Sequence, residues 1–343
     1  MSSQPHPLGY ESKIAHLPTG RQYRYVDIQP PQGVKTIETA LLLHGFPDSA
    51  YGWRHQIKGW SNRGIRLIIP DTLGYTGTSQ PTDPNEYTYK NHSDDYAALV
   101  GHIGLSEGEK VVLIAHDWGS GLAARFAQYY PNLVKGIASF CIPFSVLSQP
   151  ARPPVPMEKI VEVMPHFGYQ IFFSNPESTV PIDTKVEKFI SILYASAKQI
   201  EEGQVPAFEK KGVIEEWLKD DSKSAHPALL TKEEFDTMVQ QIKSGVGFSA
   251  MLNYYRNQEA SYEHDKNLST EQLQLDMPKL LVIPNADPCV PVQMFEHENQ
   301  LKNLELARLD GLCGHWVQLE QPDVVERIVG DWVEKMSAKG WPQ

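Results

Sequence analysis

The stretch Val111-Val112-Leu113-Ile114-Ala115-His116-Asp117-Trp118-Gly119-Ser120-Gly121 decides how this chain folds. Its opening run is β-branched and aliphatic, the signature of a buried strand. A helix-like segment, Leu122 to Tyr130, follows it. Between them, small residues at Ala115 and Gly119 flank Asp117, so strand and helix can approach closely around one acidic side chain. This is the pattern of a nucleophile elbow, a tight strand-to-helix turn that presents one side chain above a sheet. Serine is the usual occupant, and here it is Asp117. A carboxylate is suited to attacking a saturated carbon and forming an ester that water later cleaves. The expected chemistry therefore moves from ester hydrolysis to opening a C–O or C–halogen bond.

The segments around the elbow repeat the strand–helix alternation. Strand-like runs occupy Tyr10 to Leu17, Arg21 to Ile28, Thr36 to Leu43, Ile65 to Pro70, Val134 to Cys141, Lys279 to Pro284 and Leu304 to Leu309. Gly20 and Pro30-Pro31-Gln32-Gly33 mark turns between the first three. Helical patterns cover Ala50 to Asn62, Tyr89 to Ile103 and Pro322 to Met336. Such alternation predicts an α/β fold, a mostly parallel central sheet flanked by helices. From Pro143 to about Glu263 the strand signal disappears. Pro150, Pro153, Pro154 and Pro156 mark an exit from the sheet, and helical patterns follow at Met157 to Met164, Thr184 to Glu202, Val213 to Lys219, Lys232 to Lys243 and Gly247 to Tyr262. The expected organisation is a core of residues 1–143 and 264–343 with a helical cap, 144–263, inserted between its halves.

The net charge of −11 over 343 residues argues against a nucleic-acid partner, whose phosphates would be repelled. No apolar run approaches the roughly 18 residues of a membrane span. The N-terminal Met1 to Lys13 lacks a signal-peptide core, and Gly340 to Gln343 match no address signal. Cys141, Cys289 and Cys313 have neither paired nor metal-ligand spacing and read as free thiols. A cytoplasmic location is the expectation, with no metal and no cofactor.

A carboxylate nucleophile needs donors for the oxyanion formed when its ester is cleaved, and a base to activate water. Leu43-His44-Gly45-Phe46-Pro47 follows the third strand, where Gly45 permits an unusual turn and Pro47 stiffens the exit. The backbone N–H groups of Phe46 and Trp118 are the candidate oxyanion hole. His315, in Cys313-Gly314-His315-Trp316 after the last strand, is the candidate base, because nucleophile, acid, then histidine is the order of such sites. Asp287, in Asn285-Ala286-Asp287-Pro288 after the preceding strand, is the candidate to orient it. Asp310 competes, but it shares a strand end with His315. His116 and His44 are given no proton-transfer role.

These residues together resemble the epoxide hydrolase branch of the α/β-hydrolase family over almost the whole chain. The resemblance rests on His44-Gly45-Phe46-Pro47, His116-Asp117-Trp118-Gly119, Asp287 and Gly314-His315-Trp316. It rests also on two cap segments, Gly168-Tyr169-Gln170-Ile171-Phe172-Phe173 and Leu252-Asn253-Tyr254-Tyr255-Arg256-Asn257. It implies that Tyr169 and Tyr255 hold the epoxide oxygen and protonate it as the ring opens. Tyr254 and Tyr255 would lie about 100° apart on a helix, so only one faces the pocket; the family pattern selects Tyr255. Two positions depart from that pattern: Ala115 stands for the commoner Gly, and Thr76, in Asp71-Thr72-Leu73-Gly74-Tyr75-Thr76-Gly77, stands where Gly is usual. No N-terminal phosphatase domain like that of some vertebrate relatives is expected.

The implied reaction turns an epoxide and water into a vicinal diol through an aspartyl ester. Haloalkane dehalogenase is the nearest alternative, with the same fold and elbow. It needs N–H donors for halide, and the apolar Phe46 ring stands where that family often uses Asn. A non-enzymatic ligand receptor on the same fold is the alternative from another class; it would have lost part of the constellation, and every part is present. Aryl epoxides, fatty-acid epoxides and toxic metabolites awaiting detoxification all stay open as substrates, as does the oligomeric state.

Overall fold

In the computed structural model of the protein, which describes residues 6–341, eight strands form one sheet. They are β1 (Lys13–His16), β2 (Gln22–Ile28), β3 (Glu38–Leu43), β4 (Ile65–Pro70), β5 (Val111–His116), β6 (Val134–Phe140), β7 (Lys279–Ile283) and β8 (Leu304–Arg308). Their order is β1-β2-β4-β3-β5-β6-β7-β8, with β1 and β2 antiparallel to their neighbours and every later pairing parallel. Residues 1–5 and 342–343, part of the terminal segments discussed above, lie outside the described residues.

All six residues of β5 are buried, as a central parallel strand covered on both faces requires. Alternate residues face opposite ways. Leu113 and Ala115 join Leu41, Leu43 and Leu281 in one core, while Val112 and Ile114 join Ala40, Leu42 and Leu280 in another. The first core is covered by the helices Tyr89–His102 and Trp118–Tyr129, the second by Ile57–Asn62 and the C-terminal Pro322–Lys339. Every described element between β6 and β7 is helical, and its apolar residues, among them Phe173, Phe189 and Phe248, continue the first core.

Three expected helices break into pieces, two of them where contacts arrive from far along the chain. Ala50 to Asn62 becomes a short turn, Ala50–Trp53, and a helix, Ile57–Asn62. Arg54 to Gln56 form a turn between the two, and in the first piece a Cβ on Gly52 would lie 1.8 Å from the Asp48 carboxylate. Thr184 to Glu202 splits into Val186–Leu193 and Ala197–Glu201. The Trp316 indole N–H donates to the Leu193 carbonyl (2.7 Å), and Ser196 starts the next helix with a capping box shared with Gln199. Gly247 to Tyr262 becomes Phe248–Met251, a 3-10 turn at Leu252–Tyr255, and Gln258–Asp265. There the Asn257 side-chain amide donates to the Asn253 carbonyl of this stretch (2.9 Å) and to the distant Tyr87 carbonyl (3.0 Å), competing with the helical backbone for the first. The last helix crosses residue 263, the expected cap boundary, and Asp265 is tied to the core by Arg125 Nε (2.8 Å) and the Tyr129 hydroxyl (2.7 Å). Among the described residues no helix is long and apolar enough to cross a membrane.

Candidate active site

The chemistry-bearing residues gather beyond the carboxyl ends of β3, β5, β7 and β8. Asp117 sits between β5 and its helix at φ 54° and ψ −126°, a left-handed conformation that strains a residue with a Cβ by about 1–3 kcal/mol. Two glycines make room for it. A Cβ on Gly119 would lie 2.1 Å from the Leu43 carbonyl oxygen, and one on Gly45 would lie 2.3 Å from Asp117 Oδ1. The strand-to-helix turn therefore needs glycine at 119, and the loop after β3 needs it at 45.

The Phe46 N–H donates to Asp117 Oδ1 at 2.8 Å. Oδ2 of the same carboxylate faces His315 Nε2 at 3.7 Å. His315 Nδ1 lies 2.8 Å from Asp287 Oδ2, and the other Asp287 oxygen accepts from the N–H groups of Cys289 (2.8 Å) and Val290 (3.2 Å). With Asp287 acceptor-only, Nδ1 carries a proton and Nε2 is the nitrogen turned to Asp117. Asp310 is exposed.

These contacts set the charges. Burial pushes the Asp117 carboxyl above the ordinary aspartate value, against the opposing pull of His315 and of the Phe46 and Trp118 amides. Burial alone would push His315 down, but the Asp287 carboxylate, by charge and hydrogen bond, and then the Asp117 charge hold it up at about 9. The Asp117 part of that support can be tested. Asp117→Asn removes one negative charge beside Nε2, so the imidazole should titrate below about 9. An NMR titration of the His315 ring reads this directly; an unchanged or higher value would remove Asp117 as a partner.

The two remaining histidines near the site are neutral scaffolding. His116 Nε2 donates to the His315 carbonyl at 2.8 Å, and burial holds its pKa well below the ordinary value. His44 Nε2 accepts from the Thr72 N–H (3.0 Å), its Nδ1 donates to the Gly45 carbonyl (2.9 Å), and burial lowers it to about 4. Cys141, held at φ 69°, also donates its thiol to the His315 carbonyl at 3.2 Å. His116, Cys141 and His315 thus bring ligand-type atoms within 4.8 Å of one another. Two of them are spent on one carbonyl, which fixes the backbone that carries the imidazole. Nothing in the sequence marks Cys141 for this task, because its partner is 174 residues away.

Tyr169 opens the helix Tyr169–Ser174, and Tyr255 ends the 3-10 turn Leu252–Tyr255. Their rings are edge-on with centroids 6.3 Å apart, and Tyr255 packs on Trp118 (5.1 Å) and Phe46 (5.2 Å). Tyr254 turns the other way, donating to the Leu73 carbonyl at 2.8 Å. Burial raises both pocket phenols well above the ordinary tyrosine value, with the charge of Asp117 adding to it, so both keep their protons at neutral pH. Thr76, where glycine is usual, uses its hydroxyl to bond the Gln241 carbonyl (2.7 Å) of the helix Lys232–Ser244.

Asp117, Tyr169 and Cys289 line two cavities at once. One, of about 20 Å³, also touches Tyr255 and His315; the other, of about 230 Å³, runs past Trp118. Cys289 was legible in the sequence only as a free thiol, and its place beside Asp117 follows from the turn that begins at Asp287. A larger groove of about 620 Å³ lies near the opposite ends of β5 and β6 and contains none of these residues.

Comparison with known proteins places the chain in a family. The family model described as alpha/beta hydrolase fold matches residues 40–322. Epoxide hydrolase srdG of Neurospora crassa is 32% identical over 306 residues, which cover 87% of this chain and 86% of that protein. Bifunctional epoxide hydrolase 2 of Sus scrofa is 29% identical over 92% of this chain, which spans 56% of that protein's length. Among solved structures, epoxide hydrolase A from Mycobacterium thermoresistibile superimposes with a TM-score of 0.76 at 25% identity, over 96% of this chain and 98% of that one. The chain belongs to the α/β-hydrolase fold family and, within it, to the epoxide hydrolases.

Proposed function

We propose that the protein hydrolyses epoxides to vicinal diols through an ester on Asp117. The observation that carries this reading is an elbow aspartate facing His315 on one side, with two protonated phenols, Tyr169 and Tyr255, bordering the same cavity. Asp117 Oδ1 is held by the Phe46 N–H, which leaves Oδ2 to attack an epoxide carbon. The C–O bond breaks, and a phenol of Tyr169 or Tyr255 gives its proton to the departing oxygen. Ester formation removes the Asp117 charge, so the His315 imidazolium loses one of its two carboxylate partners and gives up its proton more readily, and that proton restores the phenol that was spent on ring opening. The neutral ring, oriented by Asp287, then takes a proton from water as water attacks the ester carbonyl. The Phe46 and Trp118 N–H groups hold the oxyanion. Collapse releases the diol and restores the carboxylate. In this reading residues 144–263 act as a cap that supplies both phenols. Halide release is disfavoured by the Phe46 side chain, which lies among Phe173, Phe248 and Tyr255 and offers no donor. The three buried free thiols fit work in a reducing compartment such as the cytosol.

A single turnover in heavy-oxygen water, with enzyme in excess, tests the covalent route. The new diol oxygen comes from Asp117, so the diol should be mostly unlabelled and the label should appear in the peptide containing Asp117. Direct attack by activated water would give labelled diol and an unlabelled aspartate.

A further inference from the structure

We propose that the preferred substrates are epoxides with one bulky apolar substituent and nothing larger than methyl on the other carbon; this rests on the epoxide-opening reading above. Asp117, Tyr169 and Cys289 line both cavities, one on either side of them. An oxirane with its oxygen at Tyr169 and a carbon at Asp117 touches residues common to both cavities, with Tyr255 on the small-cavity side, so its two carbons have one cavity each for their substituents. The cavities differ about tenfold, at about 20 Å³ and about 230 Å³. A water molecule needs about 10–15 Å³ of such space, and a cavity of about 150 Å³ takes a benzene ring. The small side therefore has room for hydrogen or methyl, and the large side for an aryl ring or a short branched chain.

The small cavity is also the rigid one. Its walls include Phe173, Leu193, Phe208 and Trp316, all buried. Trp316 is held twice, by its bond to the Leu193 carbonyl (2.7 Å) and by stacking on Tyr194 (4.0 Å between centroids, 9° between planes). Phe173 packs on Phe189 (5.7 Å) and Tyr255 (5.0 Å), and Phe208 sits edge-on to Tyr169 (5.7 Å). Enlarging this space means forcing packed rings off their rotamers. The large cavity is walled instead by Ile142, Val146, Leu147, Phe167 and Met294, and Val146 is 48% exposed, so this wall can yield. Its apolar lining selects hydrocarbon over charged substituents.

The test compares methyloxirane, phenyloxirane and trans-2,3-diphenyloxirane by diol formation. Wild-type kcat/KM for phenyloxirane should exceed that for the diphenyl compound by about 100-fold, the cost of overpacking a rigid site. Leu193→Ala opens the small cavity and should shrink this ratio by about 10-fold; Phe208→Leu does the same from another wall, should the first variant fold poorly. Val146→Trp, at a partly exposed position, should lower phenyloxirane relative to methyloxirane by about 10-fold. Comparable wild-type turnover of phenyloxirane and the diphenyl compound, or ratios unmoved by folded variants, would overturn the proposal while leaving epoxide hydrolysis intact. Diol from none of the three would overturn epoxide hydrolysis itself.

Discussion

His315→Gln is expected to stop the reaction halfway, with one substrate mass added to each chain on Asp117. Glutamine cannot take a proton from water, and in the proposed mechanism the second half-reaction depends on that step. Asp117, the Phe46 N–H at 2.8 Å and the two phenols stay as they are, so ring opening continues. Loss of a positioned base typically costs about 100- to 10,000-fold, enough for the ester to outlast the preparation of a sample for intact-protein mass spectrometry. Peptide mapping should put the added mass on the segment containing Asp117. An unmodified chain, under conditions where substrate binding is demonstrated, would remove His315 from the second step and place it in the first.

Removing both phenols should have the larger effect on ring opening. Tyr169→Phe and Tyr255→Phe each leave one proton donor at the cavity, so each should slow ester formation while leaving it measurable. The double variant leaves the departing oxygen to water alone and should lose a further factor of about 100 to 10,000. Both rings are fixed by packing that a phenylalanine reproduces: Tyr255 on Trp118, Phe46 and Phe173, and Tyr169 on Phe173 and Phe208. The hydroxyl is the only group changed, so the loss reports on proton donation and not on a collapsed cap. The readout is the pre-steady-state rate of ester formation on an unactivated epoxide. Wild-type turnover by the double variant would show that the oxygen is protonated by another group. If one single change equals the double, only that phenol donates.

What was legible in the sequence by itself is local in origin. The elbow is written in consecutive residues because it is a steric problem solved by neighbours: a buried β5, a strained Asp117 and a glycine two residues on. Gly45 was legible only as a residue suited to an unusual turn; that a Cβ there would strike Asp117 is a contact supplied by the fold. The alternation of strand and helix follows from periodicity alone, and with it the parallel sheet and the placement of His315 beyond its last strand. The chemistry of a carboxylate in a serine's place needs no coordinates either.

Only the tertiary structure decided which way side chains turn when the deciding contact is far along the chain. Of two adjacent tyrosines the family pattern selects Tyr255, but the contact that separates them is not written in the sequence. Tyr254 is drawn away by the Leu73 carbonyl, 181 residues distant, and Tyr255 is left to the cavity. Asp287 and Asp310 both follow strands, and it is the loop after β7, held through the Cys289 and Val290 amides, that brings Asp287 to 2.8 Å from His315. The expected helix from Thr184 to Glu202 ends at Leu193, where the Trp316 indole bonds the Leu193 carbonyl and Ser196 caps a new helix. Neither the capping box at Ser196 and Gln199 nor the long-range bond to Trp316 enters the periodicity that predicted one helix. The unequal cavities beside Asp117 belong to the same class. Their volumes are what remains after cap and core side chains have packed, and packing is a property of residues brought together from across the chain, not of any one stretch of it.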